Sequence, residues 1–381
     1  MPIEGWFWLW TGIALIWWCL ALRLVDQKML TPCAENKKES FSFITLFKPL
    51  PLNTDAHQIP RIKKALESFW VQLDNNCEVL LGIWEQDREA WQSSLAQWEK
   101  DFPESWHRVK VIWRQEPDSF SNPKIAWQFI LANHAKGEWW LWSDVDIIAP
   151  PNFIKLAREQ FSKENCQLLT HAYVIKRIEN EASLLEALFV NMEFFPGTLI
   201  LARRKKKDMG FGASLLFHRD AAKDSLFWKT LGSVLADDFM LGKWLGNSEL
   251  GEVLVETTAG EKNWRQALLH YLRWQKTIRW CQPLGFAMQI IIFPLIGWII
   301  FLLLTQQWQI GLLGGLITLM MELIFAKKLC YTVNCIMPWH QSWGIVVWSL
   351  VRAIGWVLCW LPWPVKWGQT LWWNCKQTKA V

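Results

Sequence analysis

Two pairs of acids and one glutamine–arginine pair have the residue types and spacing that chemistry requires. Asp144 and Asp146 stand at the end of the apolar run Trp139-Trp140-Leu141-Trp142, and Pro150-Pro151 follows. Such a run reads as a buried strand. Residues i and i+2 of a strand point to one side, so both carboxylates are expected to face one site. Carboxylates that close repel each other unless a cation or a proton lies between them. A hard divalent cation carrying phosphate oxygens meets that need, because Mg²⁺ takes one or two carboxylates and completes its shell from substrate phosphates and water. A solvated strand end with idle acids is the plainer alternative. The second pair, Asp237-Asp238, opens an apolar stretch expected to be helical as far as Leu245. Acids there can do chemistry or simply serve the helix start. Gln275 and Arg279 share a helix face, and the arginine fork suits phosphate. Trp280 beside them would pack against a ligand or anchor the helix at an interface.

Strand and helix patterns alternate in the chain that leads up to these residues. Strands are expected over 42–47, 77–84, 109–113 and 139–148, and helices over 61–73, 89–100 and 125–134. Alternation of this kind argues for a parallel sheet covered on both faces. Such sheets bind ligands outside the carboxyl ends of their strands. Acids stand at two of those ends: Asp87, with Glu85 just before it, and the Asp144/Asp146 pair. An acid after a strand is also ordinary turn chemistry. Beyond Pro151 come a helix to Phe161, a strand at 167–170, and a strand from Gly210 to Phe217 whose glycines permit close backbone approach to a ligand.

The chain of 381 residues is 52% hydrophobic and carries 31 tryptophans, a residue that favours the membrane interface. Gly5–Leu22 has no charge and suits a bilayer span. No basic region precedes it, so an uncleaved anchor is expected rather than a signal peptide. Cys281–Met321 is also free of charge and too long for one helix. Spans are expected at about 284–304 and 310–326, with a third at about 343–361. Arg352 in the third is an ionisable residue that needs a partner, and Glu322 is the candidate. An apolar stretch ending in Arg203-Arg204-Lys205-Lys206-Lys207 reads as an interfacial helix on anionic lipid, against a plain solvated loop. The expected organisation is a transmembrane anchor over 1–25, a soluble domain over 26–280 with the interfacial helix near 184–207, and a membrane region over 281–381 with about three helices. A net charge of +5, with no basic strip interleaved with aromatics, gives no sign of nucleic-acid binding. Nine cysteines without a C-x-x-C pair and seven histidines without ligand spacing give no zinc site.

Taken in order, D-x-D, then D-D ahead of an apolar helix, then Q-x-x-R-W just before membrane spans resembles inverting GT-A glycosyltransferases of families 2 and 21. Within them it is most similar to the ceramide glucosyltransferase-like and hopanoid biosynthesis-associated members. Lys48-Pro49-Leu50, Asn122-Pro123-Lys124, Leu235-Ala236-Asp237-Asp238, Leu272-Arg273-Trp274 and Thr277-Ile278-Arg279 match as well, so the resemblance covers most of the chain. It implies an α/β fold, a GT-A (nucleotide-diphospho-sugar transferase) domain with transmembrane helices at both ends. It implies that Asp144 and Asp146 hold a donor diphosphate through Mg²⁺ or Mn²⁺ and that Asp238 is the catalytic base. Lys48, Asp87, Lys124, Asp144, Gln275, Arg279 and Trp280 then serve donor binding. Val145 departs from the small residue common between the metal-site acids, and Ile125-Ala126-Trp127 replaces the usual Asn-rich helix start.

The expected activity is inverting transfer of a hexose from a UDP-sugar, UDP-glucose first, to the hydroxyl of a membrane lipid such as ceramide or a hopanoid. Donor, lipid acceptor and bilayer are the expected partners. Rival readings are a processive polysaccharide synthase, a polyprenyl-phosphate glycosyltransferase, and a non-enzymatic membrane protein that binds nucleotide or lipid. A multi-pass membrane protein is expected, in the inner or plasma membrane if bacterial. Arg23, Lys28, Lys37 and Lys38 follow the first span, which puts 26–280 in the cytoplasm. Protease added outside sealed spheroplasts should therefore leave that domain intact; cleavage from outside would reverse the orientation.

Overall fold

The computed structural model describes residues 2–30, 42–54, 57–115, 120–204, 207–259, 263–367 and 370–375. Lys37, Lys38, Lys205 and Lys206 lie outside the described residues. The chain forms two compact units, one of residues 1–32, 174–201 and 259–365, the other of 33–173, 202–258 and 366–381.

The second unit holds the sheet. Its strands are β1 (Ile44–Pro49), β2 (Cys77–Trp84), β3 (Val109–Arg114), β4 (Trp139–Ser143), β5 (Ile147–Ile148), β6 (Leu168–Thr170), β7 (Tyr173–Val174), β8 (Ser214–His218), β9 (Ser248–Leu250) and β10 (Val255–Thr257). Seven of them form one sheet in the order β3-β2-β1-β4-β8-β6-β9. The first four in that order run parallel, joined by helices Ile59–Trp70, Arg88–Asp101 and Pro123–Ala132. β8 then pairs antiparallel with both β4 and β6, so the sheet is mixed where an all-parallel one is expected. The reason is connectivity. The chain leaves this unit for residues 174–201 before it returns to β8, and no simple β-α-β crossover, which a parallel neighbour requires, links β4 to β8.

Alternate strand residues feed two cores, as the two-residue period dictates. Leu46, Val79, Leu81 and Leu141 pack with Phe69, Trp70, Trp91 and Trp98 on one face. Phe47, Leu80, Trp140, Trp142 and Phe217 pack with Trp127, Phe227 and Trp228 on the other. Burial on both faces explains why these strands read as continuous apolar runs. It also corrects the reading of the tryptophans: many fill the interior of the α/β unit and have no part at an interface.

The other unit is helical. Ile3–Leu30, Glu181–Arg203, Trp308–Thr332 and Trp339–Trp360 are long and apolar enough to cross a membrane, which makes this a membrane protein. The stretch expected as a single span at about 284–304 is two helices, Pro283–Ile292 and Pro294–Thr305, bent by 66°. Pro294 lacks the N–H that a continuous helix would use, so the break falls there. Glu181–Arg203 is α-helical to Phe189, passes through a π-turn at Val190–Phe194, and is α-helical again to Arg203. Most of its apolar length is buried.

Arg352 is fully buried. It pairs with Glu322, the partner anticipated from sequence, and at 3.4 Å with Glu193 of the π-turn. Ser349 donates a further hydrogen bond to Glu322. Charges inside a membrane bundle persist when paired in this way. Arg352→Met would leave two buried carboxylates without a counter-charge, at a cost of about 3–5 kcal/mol. Unfolding of the purified protein in detergent should show that loss, and Arg352→Met/Glu322→Met should recover part of it. A single variant as stable as wild type would show that the pairs contribute nothing.

Candidate active site

Lys48 lies near the end of β1 and is fully buried. Its amine donates to Ser143 Oγ at 2.9 Å and to the Asp144 carbonyl at 2.7 Å, and it sits 3.9 Å from the centre of the Phe69 ring. Burial pushes it down to about 7, against the attraction of Asp144 and Asp146. Lys48 therefore grips the backbone where β4 stops.

That stop changes the geometry of the first acid pair. β4 ends at Ser143. Asp144-Val145-Asp146 is a turn in which the Ile147 N–H donates to the Asp144 carbonyl at 3.3 Å. β5 then pairs with β10, outside the main sheet. The same-side rule needs extended backbone through both residues, and here it fails. Asp144 Oδ1 accepts from Lys124 Nζ at 2.6 Å, whereas Asp146 Oδ2 accepts from Thr257 Oγ1 at 3.0 Å. The acids stay close enough to interact: burial and then the charge of Asp144 raise the Asp146 carboxyl above its usual range.

Asn122-Pro123-Lys124 joins this turn to the second acid pair. Asn122 caps helix Pro123–Ala132, its Oδ1 accepting from the N–H groups of Lys124 and Ile125 at 3.0 and 3.3 Å. Pro123 at the first helical position has no N–H to satisfy. The Asn122 amide nitrogen donates to the Val234 carbonyl at 3.0 Å and to Asp237 Oδ1 at 3.3 Å. Lys124 reaches Asp144 and, at 3.4 Å, Asp237 Oδ2. Burial alone would lower its amine, but Asp144 and Asp237 hold it well above the usual lysine range.

Asp237 and Asp238 begin helix Asp237–Leu245, and the cap position is Ala236. Neither acid is the helix cap, which was the plain alternative for them. Burial and the charge of Asp237 push the Asp238 carboxyl up to about 6, against Lys124. Glycines make this crowding feasible. A Cβ on Gly210 would lie 2.1 Å from the Asp238 carbonyl oxygen, and one on Gly242 would lie 2.4 Å from the carbonyl carbon of Met209. A Cβ on Gly212 would lie 3.1 Å from Asp238 Oδ2 and 3.6 Å from Asp144 Oδ2. The glycines expected inside a strand are thus in the loop before β8, and what approaches them is the backbone and carboxylate of Asp238.

Of the two acids after β2, Asp87 is buried, and it accepts from the Asn53 N–H at 3.0 Å. Burial raises its carboxyl, opposed by the amides of Asn53 and Thr54. Glu85 turns outward to pair with Arg88. Gln275, Arg279 and Trp280 lie on helix Trp264–Cys281 of the other unit. There Arg279 Nη1 donates to the Cys359 carbonyl at 2.6 Å, with its guanidinium 4.9 Å from the Trp360 ring. Lys276 donates to the Leu361 carbonyl. Both cations thus serve the carboxyl end of helix Trp343–Trp360, where carbonyls lack helical partners. Gln275 is buried.

The structure brings together Lys124, Asp144, Asp237 and Asp238, with Lys48 behind Asp144 and Asp146 to one side. Ser143 and Thr257 carried no recognisable signal in the sequence; G-x-G at 210–212 was the available signal for the crossing at Asp238. No group of three or more metal-ligating side chains occurs among the described residues. Two carboxylates suffice for a hard divalent cation whose shell is completed by phosphate and water. Asp144 and Asp146, on either side of one turn, fit such an ion: burial first and then the charge of Asp144 raise Asp146, and a cation between them would relieve both.

An α/β sheet with acids gathered beside its strand ends, in one chain with membrane-length helices, is the layout of a membrane-bound enzyme. The family described as glycosyl transferase family 21 matches residues 8–378; the chain belongs to that family and is a glycosyltransferase. The mixed α/β fold agrees with the fold class expected from the sequence, but residues 174–201 and 259–280 of the expected soluble domain belong to the other unit. Among solved structures, the chain is similar to the mannosyltransferase PcManGT from Pyrobaculum calidifontis in complex with GDP-Man and Mn²⁺, at 14% identity, covering 93% of this chain and 98% of that one, with a TM-score of 0.49. TarS of S. aureus follows at 12% identity, covering 62% of this chain and 39% of that one, TM-score 0.37. A shorter form of TarS with UDP covers 61% and 63% at the same identity and score. No curated protein sequence matches the chain.

Gly210→Ala should drive the Asp238 backbone out of place. Misplacing a reacting group by about 1 Å costs on the order of 10² in rate, so turnover should fall by that order with the circular dichroism of the sheet unchanged. Full turnover in a folded Gly210→Ala protein would show that the crossing is not needed.

Proposed function

We propose that this glycosyltransferase moves a hexose from a UDP-sugar, with UDP-glucose favoured, to the hydroxyl of a membrane lipid such as ceramide or a hopanoid, with inversion. The observation that carries the reading is the bridge from Asp144 through Lys124 to Asp237, with Asp238 raised to about 6 beside it, in a chain of family 21. Asp144 and Asp146 hold Mg²⁺ or Mn²⁺. When bound, that ion neutralises charge on the leaving diphosphate. Lys124 adds positive charge on the same side. Asp87 takes the nucleoside, and Lys48 keeps the Asp144 turn in place. Gln275, Arg279 and Trp280 complete donor binding, the guanidinium fork suiting the diphosphate. Asp238 accepts the hydroxyl proton: a carboxyl near 6 is ionised at neutral pH yet more basic than an ordinary aspartate. The membrane-length helices keep the acceptor within the bilayer, and the α/β unit faces the cytoplasm.

Incubating membranes with a panel of labelled UDP-sugars and separating the lipids tests the overall reading, which fails if no lipid takes up label. Asp238→Asn should keep UDP affinity within a few-fold and lose about 10²–10⁴ in single-turnover rate, while Asp146→Asn should weaken donor and metal binding together. The base works only when ionised, so the rate should be level above pH 7. It should fall about tenfold per unit below pH 6, or below a lower value with a cation beside the carboxylate. Wild-type transfer by Asp238→Asn would remove the base from the mechanism.

A further inference from the structure

After helix Trp343–Trp360 the chain forms β11 (Val365–Trp367) and β12 (Thr370–Trp372), a two-stranded sheet of its own. The segment 370–375 then makes two bonds far along the chain. Thr370 Oγ1 donates to the Ser121 carbonyl at 3.2 Å. The Leu235 N–H donates to the Cys375 carbonyl at 3.0 Å. Trp372 between them is fully buried.

Ser121 directly precedes Asn122, and Leu235 precedes the Asp237-Asp238 pair. These two segments are also tied to each other. The Asn122 N–H donates to the Gly232 carbonyl at 3.0 Å, the Asn122 amide reaches Val234 and Asp237, and the Phe120 ring lies where a Cβ on Gly232 would be, 2.3 Å from it. Three stretches, 120–124, 232–238 and 370–375, thus form one knot. Two of them carry the lysine and the acids of the active site, and the third closes it with backbone and hydroxyl bonds. Backbone groups withdrawn from water must find a partner, and at Leu235 that partner comes from the carboxyl-terminal segment.

We propose that Thr370, Trp372 and the Cys375 carbonyl form a positioning strap for glycosyl transfer, holding Asn122 and Leu235 so that Lys124 and Asp238 keep their geometry. The strap rests on the roles proposed above for those two residues. Asn122 sets the first turn from which Lys124 projects; Leu235 sets the entry to the helix that begins at Asp237. Loosening either one lets the ammonium and the carboxylates drift apart, which affects the chemical step more than donor capture.

The test uses the full chain in detergent or nanodiscs, with hydrogen–deuterium exchange as one readout and kcat against KM as the other. Thr370→Val should speed exchange at the 120–126 amides, and Trp372→Ala at both 120–126 and 232–238. The rise in Thr370→Val should be roughly tenfold, the size of one lost hydrogen bond, and β1 and β2 should be unchanged in both variants. In both variants kcat should fall several-fold more than KM rises, and Thr370→Ser and Trp372→Phe should restore both readouts. Unchanged exchange in the two motif segments, or a uniform rise across the sheet, would overturn the proposal. If Trp372→Ala does not fold, Thr370→Val decides. If the wild-type protein turns over none of the UDP-sugars, the functional reading fails on its own and the exchange measurement still decides the strap.

Discussion

One ammonium holds the site together. Lys124 stands between Asp144 and Asp237, with Asp238 close by. Carboxylates gathered in partly buried ground repel each other and lose hydration, so they stay ionised only where a cation compensates them. The position of that cation follows from an ordinary helix start: Asn122 caps, Pro123 fits the first turn, and Lys124 projects from it toward both acid segments. The same Asn122 side chain binds Val234 and Asp237. A local rule of helix capping thereby fixes a long-range distance.

Close approach depends equally on what is missing. Gly210 and Gly242 let the loop before β8 and the helix at Asp237 pass with their backbones nearly in contact. Any side chain at either position would drive the two backbones apart. Gly212 leaves room between the two carboxylates, and the positive end of the helix that starts at Asp237 favours negative charge there. Glycine, helix terminus and lysine act on one small volume, and the upward shift of Asp238 to about 6 is the net result of burial and Asp237 against Lys124.

The helical unit solves a related problem with different means. Arg352 is compensated by Glu322 and Glu193, and Glu193 reaches it from a π-turn. On helix Trp264–Cys281, Lys276 and Arg279 satisfy carbonyls at the carboxyl end of Trp343–Trp360, while His270 pairs with the buried Glu186. Polar groups in this apolar unit are spent on one another's unmet hydrogen bonds, as scarcity of water requires.

The strand and helix succession from β1 to β4, the apolar stretches near both ends of the chain and the family are legible in the sequence, because each is written in local periodicity, in runs without charge, or in motif order. Strand Cys77–Trp84 and the helix from Asp237 to Leu245 fall where hydrophobic period and helix-start residues put them. That β8 runs antiparallel to β4, that Asp144-Val145-Asp146 turns instead of continuing the strand, and that the carboxyl-terminal segment lies against Ser121 and Leu235 follow from long-range pairing in the folded chain. The physical reason is common to all three. A two-residue period tells which residues share a face while the backbone stays extended, but where a strand ends, and what completes its hydrogen bonds, is set by a partner distant in sequence that leaves no periodic mark.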